Sequence, residues 1–369
     1  MEMGIPQLTQ LRDFFNFSIE MRSYRIKHIF LALSASLFMI SCEKDVAQRS
    51  ATLLECDPIV EIIPGAKGIY QHLAYRGNTL FAGSPISGDG GLIKYENDQV
   101  EILFDHTYAV MELALDDVGN LWICISGGPQ TGGIYRYDLS NEMTRVSDRN
   151  CSDFEIGNDG EIFFIGGEGL LDSIQLQNIL KLDASNGEVS FATDPNANLF
   201  NSLITTFLQS TDGTFWTTTF DNQLVHTTSD AIIQVYSNSN EPLFPLHFNG
   251  LLLLSEQHDE LLFSFVKGKD WQVIEYQAGT WKNIDLVSAY IPAAQNRLIY
   301  RIEVFEGDWY LSSNWGVYQI SPDFGLLNHM YAENSPLSAD HINRLMIKSE
   351  NEIWVSYFDD ESLVKHYCP

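Results

Sequence analysis

The chain has 369 residues, of which 45% are hydrophobic and 19% charged, a balance that excludes wholesale disorder and allows a large core. Its formal net charge of −28 repels phosphate backbones and argues against nucleic acid as a partner. Aromatic residues make up 12% of the chain, which favours strands over helices.

The N-terminus carries the pattern of a secretory signal. Met21 begins a complete signal at residues 21–41, so residues 1–20 are interpreted as non-native upstream sequence read in from an early start codon. The signal has a basic start and then an apolar run at 29–40, which as a helix rises only about 18 Å and is too short for a bilayer core of about 30 Å.

Cys42 follows directly after this apolar run. The segment resembles a bacterial lipoprotein signal, and the acidic-tinged residues 43–45 are similar to the export signal of surface lipoproteins in Bacteroidetes. The resemblance implies lipidation of Cys42 and anchoring in the cell envelope, on the periplasmic or surface face of the outer membrane. The alternative is an ordinary signal peptide followed by an unremarkable cysteine. Residues 42–56 then form a tether.

A repeated phrase begins after the tether. It consists of an alternating strand, a polar turn that often contains Asp, Gly or Asn, and a second strand with a bulky residue near its start. The clearest copy runs over 110–125, and weaker copies recur every 41 to 53 residues. The bulky positions are Phe81, Trp122, Phe163, Trp216, Leu262, Tyr310 and Trp354.

A third strand follows each copy, and a fourth is visible in several, as at 100–104. Four short strands and their turns form one blade of a β-propeller, and the bulky column fills the space between neighbouring sheets. The sequence therefore predicts an all-β fold, a seven-bladed β-propeller over residues 57–369. The apolar stretch 170–182 is interpreted as a long loop that enters a strand.

The last copy has three strands, and a spare strand at 58–63 precedes the first copy. We expect this N-terminal strand to complete the last blade and close the ring, which removes an open sheet edge. The same arrangement brings Cys56 beside Cys368 and predicts a disulfide that clasps the ring, with two free thiols as the alternative. Cys124 is interpreted as a buried small apolar residue, and a bridge from Cys151 is the less favoured alternative.

The copies that contain 119–123 and 133–138 resemble the two-component-regulator propeller repeat. The resemblance covers most of residues 67–369 and implies a β-propeller. In that family the propeller is often an exported sensor domain fused to a membrane span and a kinase. Without such a fusion in this sequence, the resemblance implies an exported binding scaffold.

No catalytic motif of defined spacing is found: the sequence has no zinc-protease helix, nucleophile elbow, phosphate loop or complete calcium loop. Candidate ligand-binding residues are therefore taken from the linkers that enter each inner strand, since these lie together at one channel mouth. They are His106, His247, Arg297, Asp340 and His341. Such a set of residues suits an anionic sugar or a metal ion. No cofactor is predicted, and bound Ca²⁺ or Zn²⁺ is the open alternative.

The favoured function is a non-catalytic, lipid-anchored module that binds a glycan or an envelope protein. The alternative is a propeller enzyme, a lactonase-type hydrolase or a polysaccharide lyase, with its site at the channel mouth. A third hypothesis is a structural component of an envelope complex.

Overall fold

The computed structural model describes residues 53–54 and 58–368 apart from gaps in loops, the longest of which are 167–177, 241–251 and 285–298. Residues 1–52, with the signal segment and Cys42, lie outside the described residues. Within the described part of the chain, no helix has the length and apolar character that crossing a membrane requires.

The described chain is organised as 28 strands in seven four-stranded antiparallel sheets. The first strand is β1 (Ile59–Lys67). Sheet 1 follows with β2 (His72–Arg76), β3 (Thr79–Gly83), β4 (Leu92–Glu96) and β5 (Gln99–Phe104). Sheet 2 contains β6 (Ala109–Leu115), β7 (Leu121–Ser126), β8 (Gly133–Tyr137) and β9 (Met143–Ser147). Sheet 3 contains β10 (Asp153–Ile156), β11 (Ile162–Ile165), β12 (Leu180–Leu182) and β13 (Val189–Phe191).

The second half of the chain repeats this order. Sheet 4 contains β14 (Ile204–Gln209), β15 (Phe215–Thr219), β16 (Leu224–Thr227) and β17 (Ile232–Tyr236). Sheet 5 contains β18 (Leu252–Gln257), β19 (Glu260–Lys267), β20 (Asp270–Gln277) and β21 (Thr280–Ile284). Sheet 6 contains β22 (Ile299–Phe305), β23 (Asp308–Ser313), β24 (Gly316–Ile320) and β25 (Leu326–Met330). Sheet 7 contains β26 (Ile342–Ser349), β27 (Glu352–Tyr357) and β28 (Ser362–Tyr367), with β1 as its fourth strand.

The sheets follow one another as the blades of a propeller, because the first strand of each contacts the first strand of the next. The prediction of a closed, seven-bladed ring is corrected to a β-propeller of six packed blades. Side chains are described throughout six of the sheets, whereas nearly all of sheet 5 is described by its backbone alone. The structure therefore shows six packed blades and one further four-stranded sheet, and the described apolar clusters fill five of the interfaces between neighbouring sheets.

The predicted bulky column lies in these interfaces. Phe81, Trp122, Tyr310 and Trp354 are all at most 3% exposed. Across the strand pair, several of these aromatic residues face a cationic side chain, as Trp122 faces Arg136 and Trp354 faces Lys365, with the cation 5.9 and 5.6 Å from the ring centre. The column thus combines apolar burial with cation–π contacts at the edge of each interface.

Glycine opens the third strand of two of the clearest copies for a steric reason. Gly133 and Gly316 have φ angles of 146° and 89°, in the region that L side chains rarely adopt. A Cβ atom at either position would collide with a backbone carbonyl oxygen, that of Ser147 or of Met330. This close approach explains the Gly-Ile-Tyr and Gly-Val-Tyr openings of β8 and β24.

The N-terminal strand β1 pairs antiparallel with β28, with Ile59 opposite Tyr367. The segment before β2 is also fixed to sheet 7, since the Tyr70 amide donates to Ser356 Oγ at 3.2 Å and Asn343 Nδ2 donates to the Tyr70 carbonyl at 3.0 Å. An apolar cluster that contains Leu73 and Trp354 fills the space between sheets 7 and 1. Cys368 is disulfide-bonded, but Cys56 lies outside the described residues, so the predicted pairing of the two stays a prediction.

The interpretation of Cys124 as an unpaired apolar residue is wrong. Cys124 in β7 forms a disulfide with Cys151, which precedes β10, and the two Cα atoms are 5.5 Å apart. Both residues are fully buried in the apolar cluster between sheets 2 and 3. The bridge forms because Cys124 points into the interface and the chain entering sheet 3 passes directly beside it, a proximity that a separation of 27 residues does not reveal.

Candidate functional site

The innermost strands share a local irregularity. In five of them the pairing register shifts by one residue near the strand start, which is a β-bulge. A polar residue follows the shift each time: Glu112, Thr206, Ser255, Arg301 and Arg344. A bulge changes the direction in which the following side chain points, and bulges are frequent next to functional sites. The repeat therefore places one polar residue at an equivalent position of each of these strands.

A cavity of about 390 Å³ lies between four of the inner strands. Its polar lining comes from Glu112 in β6, Asp153 and Glu155 in β10, Thr206 in β14 and Arg301 in β22. The lining extends from the middle of these strands to their C-terminal ends at Leu115 and Ile156, the end that the first hairpin turns occupy. A volume in this range fits a small ligand or one unit of a larger one.

Glu112 is the centre of an ionic network. Its Oε1 atom lies 3.1 Å from His72 Nδ1, and its Oε2 atom lies 3.6 Å from the Arg301 guanidinium. Burial acts to raise the pKa of Glu112, but the charge and hydrogen bond of His72 and the charge of Arg301 outweigh it and hold that pKa at about 2. Glu112 is therefore an ionised carboxylate that faces the cavity at any physiological pH.

The pKa of Asp153, in β10 of the neighbouring sheet, is shifted in the opposite direction. Burial raises the pKa of Asp153 to about 7, and the negative charge of Glu112 adds to the effect. The Thr206 hydroxyl donates to Asp153 Oδ2 at 2.7 Å, which only partly offsets the rise. Asp153 therefore holds its proton up to near-neutral pH and can donate it in a hydrogen bond. Glu155, the other acid of β10, accepts from the Gln209 amide at 2.6 Å.

Arg344 lies on β26 at the position equivalent to Arg301. Its Nη2 atom is 3.3 Å from Glu303 Oε2, while its Nε and Nη1 atoms are buried and have no hydrogen-bond partner within the described residues. Burial lowers the pKa of Arg344 to about 10, and the positive charge of Arg301 contributes. The two arginines thus occupy equivalent positions on adjacent sheets, where the charge of one acts on the other.

The structure places the candidate residues predicted from the linkers elsewhere. His106 is exposed in the turn before β6. Asp340 holds its own loop, because its carbonyl accepts from Gly316 and its Oδ1 atom accepts from the Ala332 amide at 2.6 Å. His341 packs against the rings of Tyr300 and Phe358, with centroids 5.4 and 4.7 Å away.

None of these three residues lines the cavity. His247 and Arg297 lie outside the described residues, and the ligand-binding role of all five stays a prediction. Within the described part of the chain, no group of three or more His, Cys, Asp or Glu side chains is arranged to hold a metal ion.

The cavity residues could have been found by comparing the repeats. An apolar residue, any residue and then a polar one recur at the start of the inner strand, as in Val110-Met111-Glu112, Ile299-Tyr300-Arg301 and Ile342-Asn343-Arg344. The candidate residues predicted from the sequence were those of the linkers, and none of these polar strand residues was among them. Charged residues in a strand whose neighbours are buried were the overlooked signal.

The fold has clear structural counterparts. The chain is similar to the extracellular domain of a hybrid two-component system from B. thetaiotaomicron, with a TM-score of 0.60 and 12% identity, over 85% of this chain and 43% of that one. The chain shares the β-propeller fold. YCF48 from Cyanidioschyzon merolae is similar at a TM-score of 0.56 and 8% identity, over 84% of this chain and 98% of that one. The Neurospora crassa Pan2 WD40 domain is similar at a TM-score of 0.53 and 10% identity, over 82% of this chain and 90% of that one.

These identities show a common fold and nothing more specific. The chain spans less than half the length, 43%, of the two-component-system domain. No protein-family model matches the sequence, and no curated protein matches it.

Proposed function

We propose that the chain is an exported, non-catalytic binding module of the cell envelope, and that its ligand enters the central cavity. The observation that carries the proposal is the convergence of Glu112, Asp153, Thr206 and Arg301 on one cavity from four different sheets. Binding sites of small molecules are concave, with a few polar groups held in place by a rigid scaffold. The ion pairs of Glu112 with His72 and Arg301 provide this rigidity.

The disulfides support the proposal that the protein is exported. The Cys124–Cys151 bridge and the disulfide at Cys368 require an oxidising environment, which exported proteins meet and the cytosol does not. The signal pattern of residues 21–41 agrees with this. In this proposal Cys42 carries the lipid, the membrane is one partner, and residues 42–56 link it to the propeller.

A sugar unit of a glycan is the ligand that suits the cavity best. The cavity volume of about 390 Å³ holds a small polar molecule, and the lining combines charged groups with the apolar side chains of Phe154 and Phe207. Carboxylates accept hydrogen bonds from sugar hydroxyls, while Arg301 and the protonated Asp153 donate them. An envelope protein remains the second class of ligand, since a protruding side chain could occupy the same volume.

One observation favours the enzymatic alternative. The pKa of Glu112 lies at about 2 and that of Asp153 at about 7, so one carboxylate is ionised and its neighbour is protonated near neutral pH. Acid–base catalysts use carboxylates whose environments separate their pKa values in this way. A lactonase-type hydrolase or a polysaccharide lyase would use Asp153 as the proton donor.

Binding is tested by calorimetric titration and thermal-shift measurement of the protein without residues 1–41, against neutral and acidic oligosaccharides. We expect at least one of these sugars to bind, and Glu112→Gln to weaken it at least tenfold. The matched control is Glu142→Gln, which changes an exposed glutamate outside the cavity and should leave affinity unchanged. Equal affinity of the two variants would refute a binding site in the cavity.

The same sugars decide between binding and catalysis. A binding module leaves them intact after prolonged incubation, as chromatography of the mixture would show. Product formation that is lost in Asp153→Asn, with sugar affinity retained, would establish the enzyme instead.

A further inference from the structure

Arg301 and Arg344 form a pair at equivalent positions of neighbouring inner strands. Each follows the bulge of its strand, and each is opposite a serine of the second strand, Ser312 for Arg301 and Ser356 for Arg344. The repeat geometry therefore directs both cations to the same side of their sheets.

The hydrogen-bonding capacity of this pair is largely unused. Arg344 bonds to Glu303 through Nη2, and its buried Nε and Nη1 atoms lack an acceptor within the described residues. Arg301 is 34% exposed and has an ion pair with Glu112 at 3.6 Å, with no hydrogen bond of its own in the described part of the chain. A buried cationic donor without an acceptor is unfavourable, so an oxygen acceptor from a ligand would be strongly attracted.

We infer that Arg301 and Arg344 together bind a carboxylate group, so that the ligand is a carboxylate-bearing molecule such as a uronic-acid unit of a glycan. The inference rests on the proposed function, because Arg301 lines the proposed binding cavity and Arg344 occupies the equivalent position of the adjacent sheet, next to that lining. The guanidinium fork presents its donors in a plane that matches the two oxygens of a carboxylate. Bidentate contact with one arginine and a single contact with the other would use the donors that the protein leaves free.

The surrounding charges are compatible with an added anion. Glu112 is balanced by His72 and Arg301, and Glu303 by Arg344. Burial and then the positive charge of Arg301 lower the pKa of Arg344 to about 10, while the negative charges of Glu303 and Glu112 act in the opposite direction. Asp153, whose pKa is raised to about 7, adds little repulsion at lower pH and can donate its proton to the ligand.

The net charge of −28 acts against anions at long range only. At physiological ionic strength, charges separated by more than about 8 Å through solvent are largely screened. Contact with the two guanidinium groups therefore decides affinity, and the acidic surface mainly slows the encounter.

The test is a titration of the protein without residues 1–41 with sodium D-glucuronate, D-glucose and sodium sulfate at matched ionic strength. Glucuronate and glucose differ in the carboxylate, and sulfate tests whether any oxyanion suffices. We expect glucuronate to bind at least tenfold more tightly than glucose, and Arg301→Gln and Arg344→Gln each to remove this preference. Arg149→Gln, in the turn after β9 and outside the cavity, is the matched control and should keep it.

Arg301→Lys distinguishes a loss of carboxylate recognition from a loss of folding, because it keeps the positive charge and removes the planar guanidinium group. We expect it to fall between the wild type and Arg301→Gln in glucuronate affinity, with an unchanged circular dichroism spectrum. Sulfate binding as tight as glucuronate would overturn the carboxylate assignment. So would absence of glucuronate binding by the wild type, or a glucuronate preference that survives in both glutamine variants.

These results separate the inference from the proposed function. If glucose and glucuronate bind equally and Glu112→Gln abolishes both, the channel is a binding site and the carboxylate assignment is wrong. If no sugar binds and none of the channel variants differs from the wild type, both are wrong.

Discussion

Removal of the Cys124–Cys151 disulfide gives a prediction whose size follows from the structure. The bridge closes a segment of 27 residues, and the loop-entropy relation gives about 3.5 kcal/mol for a loop of that length. Both cysteines are fully buried, so replacing each by alanine also removes a packed sulfur, at about 1 kcal/mol per site. We therefore expect Cys124→Ala/Cys151→Ala to lose about 4–6 kcal/mol of unfolding free energy.

A loss of this size is a large part of the stability of a typical domain, about 5–15 kcal/mol. The assay is urea unfolding followed by tryptophan fluorescence, with protein produced in an oxidising compartment. Trp122 reports directly, because it belongs to the apolar cluster that contains the bridge. At about 2 °C per kcal/mol, the melting temperature of the double variant should fall by about 10 °C.

The single variants distinguish a bridge from two packed thiols. Either Cys124→Ala or Cys151→Ala alone removes the bridge, so each should cost nearly as much as the double variant. Unbridged cysteines would give two smaller losses that add up in the double variant. Additive losses of about 1 kcal/mol each, or two alkylatable thiols in the unreduced wild type after denaturation, would refute the bridge and the argument for export that depends on it.

Three further predictions concern stability. Burial lowers the pKa of His366 to about 4, so between pH 6.5 and 4 the unfolded chain binds a proton that the folded chain does not. The free energy of unfolding should therefore fall by about 3 kcal/mol as the pH falls through that window. Urea unfolding at pH 7 and pH 4.5 should show a smaller loss for His366→Gln than for the wild type. Asp153 gives the opposite pH dependence of stability, because its raised pKa makes the folded state bind the proton more tightly than the unfolded state from about pH 4 to 7. The stability contributed by the protonated form is lost as the pH rises, so Asp153→Asn should gain about 2 kcal/mol of unfolding free energy relative to the wild type between pH 5 and 8. A difference between the two proteins that stays constant over this range would contradict the prediction. Trp122→Ala should cost about 3–5 kcal/mol in the same assay, because the side chain is 3% exposed between sheets 2 and 3, and a loss below 1 kcal/mol would refute its packing role.

Local strand structure was predictable because each repeat carries its own signals. The predicted pair at 110–115 and 121–125 corresponds to β6 (Ala109–Leu115) and β7 (Leu121–Ser126). Between them, Asp116 Oδ1 accepts from the amides of Val118 and Asn120, and Gly119 has a φ of 96°. A turn of this kind is encoded within five residues, so sequence alone is sufficient to find it.

The contacts between repeats were harder to predict, because they depend on register. The Cys124–Cys151 bridge connects the second strand of one sheet to the entry of the next, and no spacing rule relates the two positions. The bulges are one-residue shifts, and such a shift reverses the face of every side chain that follows in the strand. The equivalent placement of Glu112 and Arg344 after a bulge is therefore visible only from the pairing of their strands.

The location of the charged residues follows from how a propeller distributes its stability. Apolar burial lies between the sheets, in clusters such as that of Phe81 and Leu113 or that of Phe163 and Phe215. Glu112, Thr206 and Arg301 of the innermost strands line the cavity and do not belong to these clusters, so a charge at these positions removes little of the apolar packing. The remaining cost is desolvation, which Glu112 and Arg344 partly offset through His72, Arg301 and Glu303. The buried Nε and Nη1 atoms of Arg344 have no hydrogen-bond partner within the described residues, so the proposed carboxylate site predicts that Arg344→Gln impairs binding far more than folding.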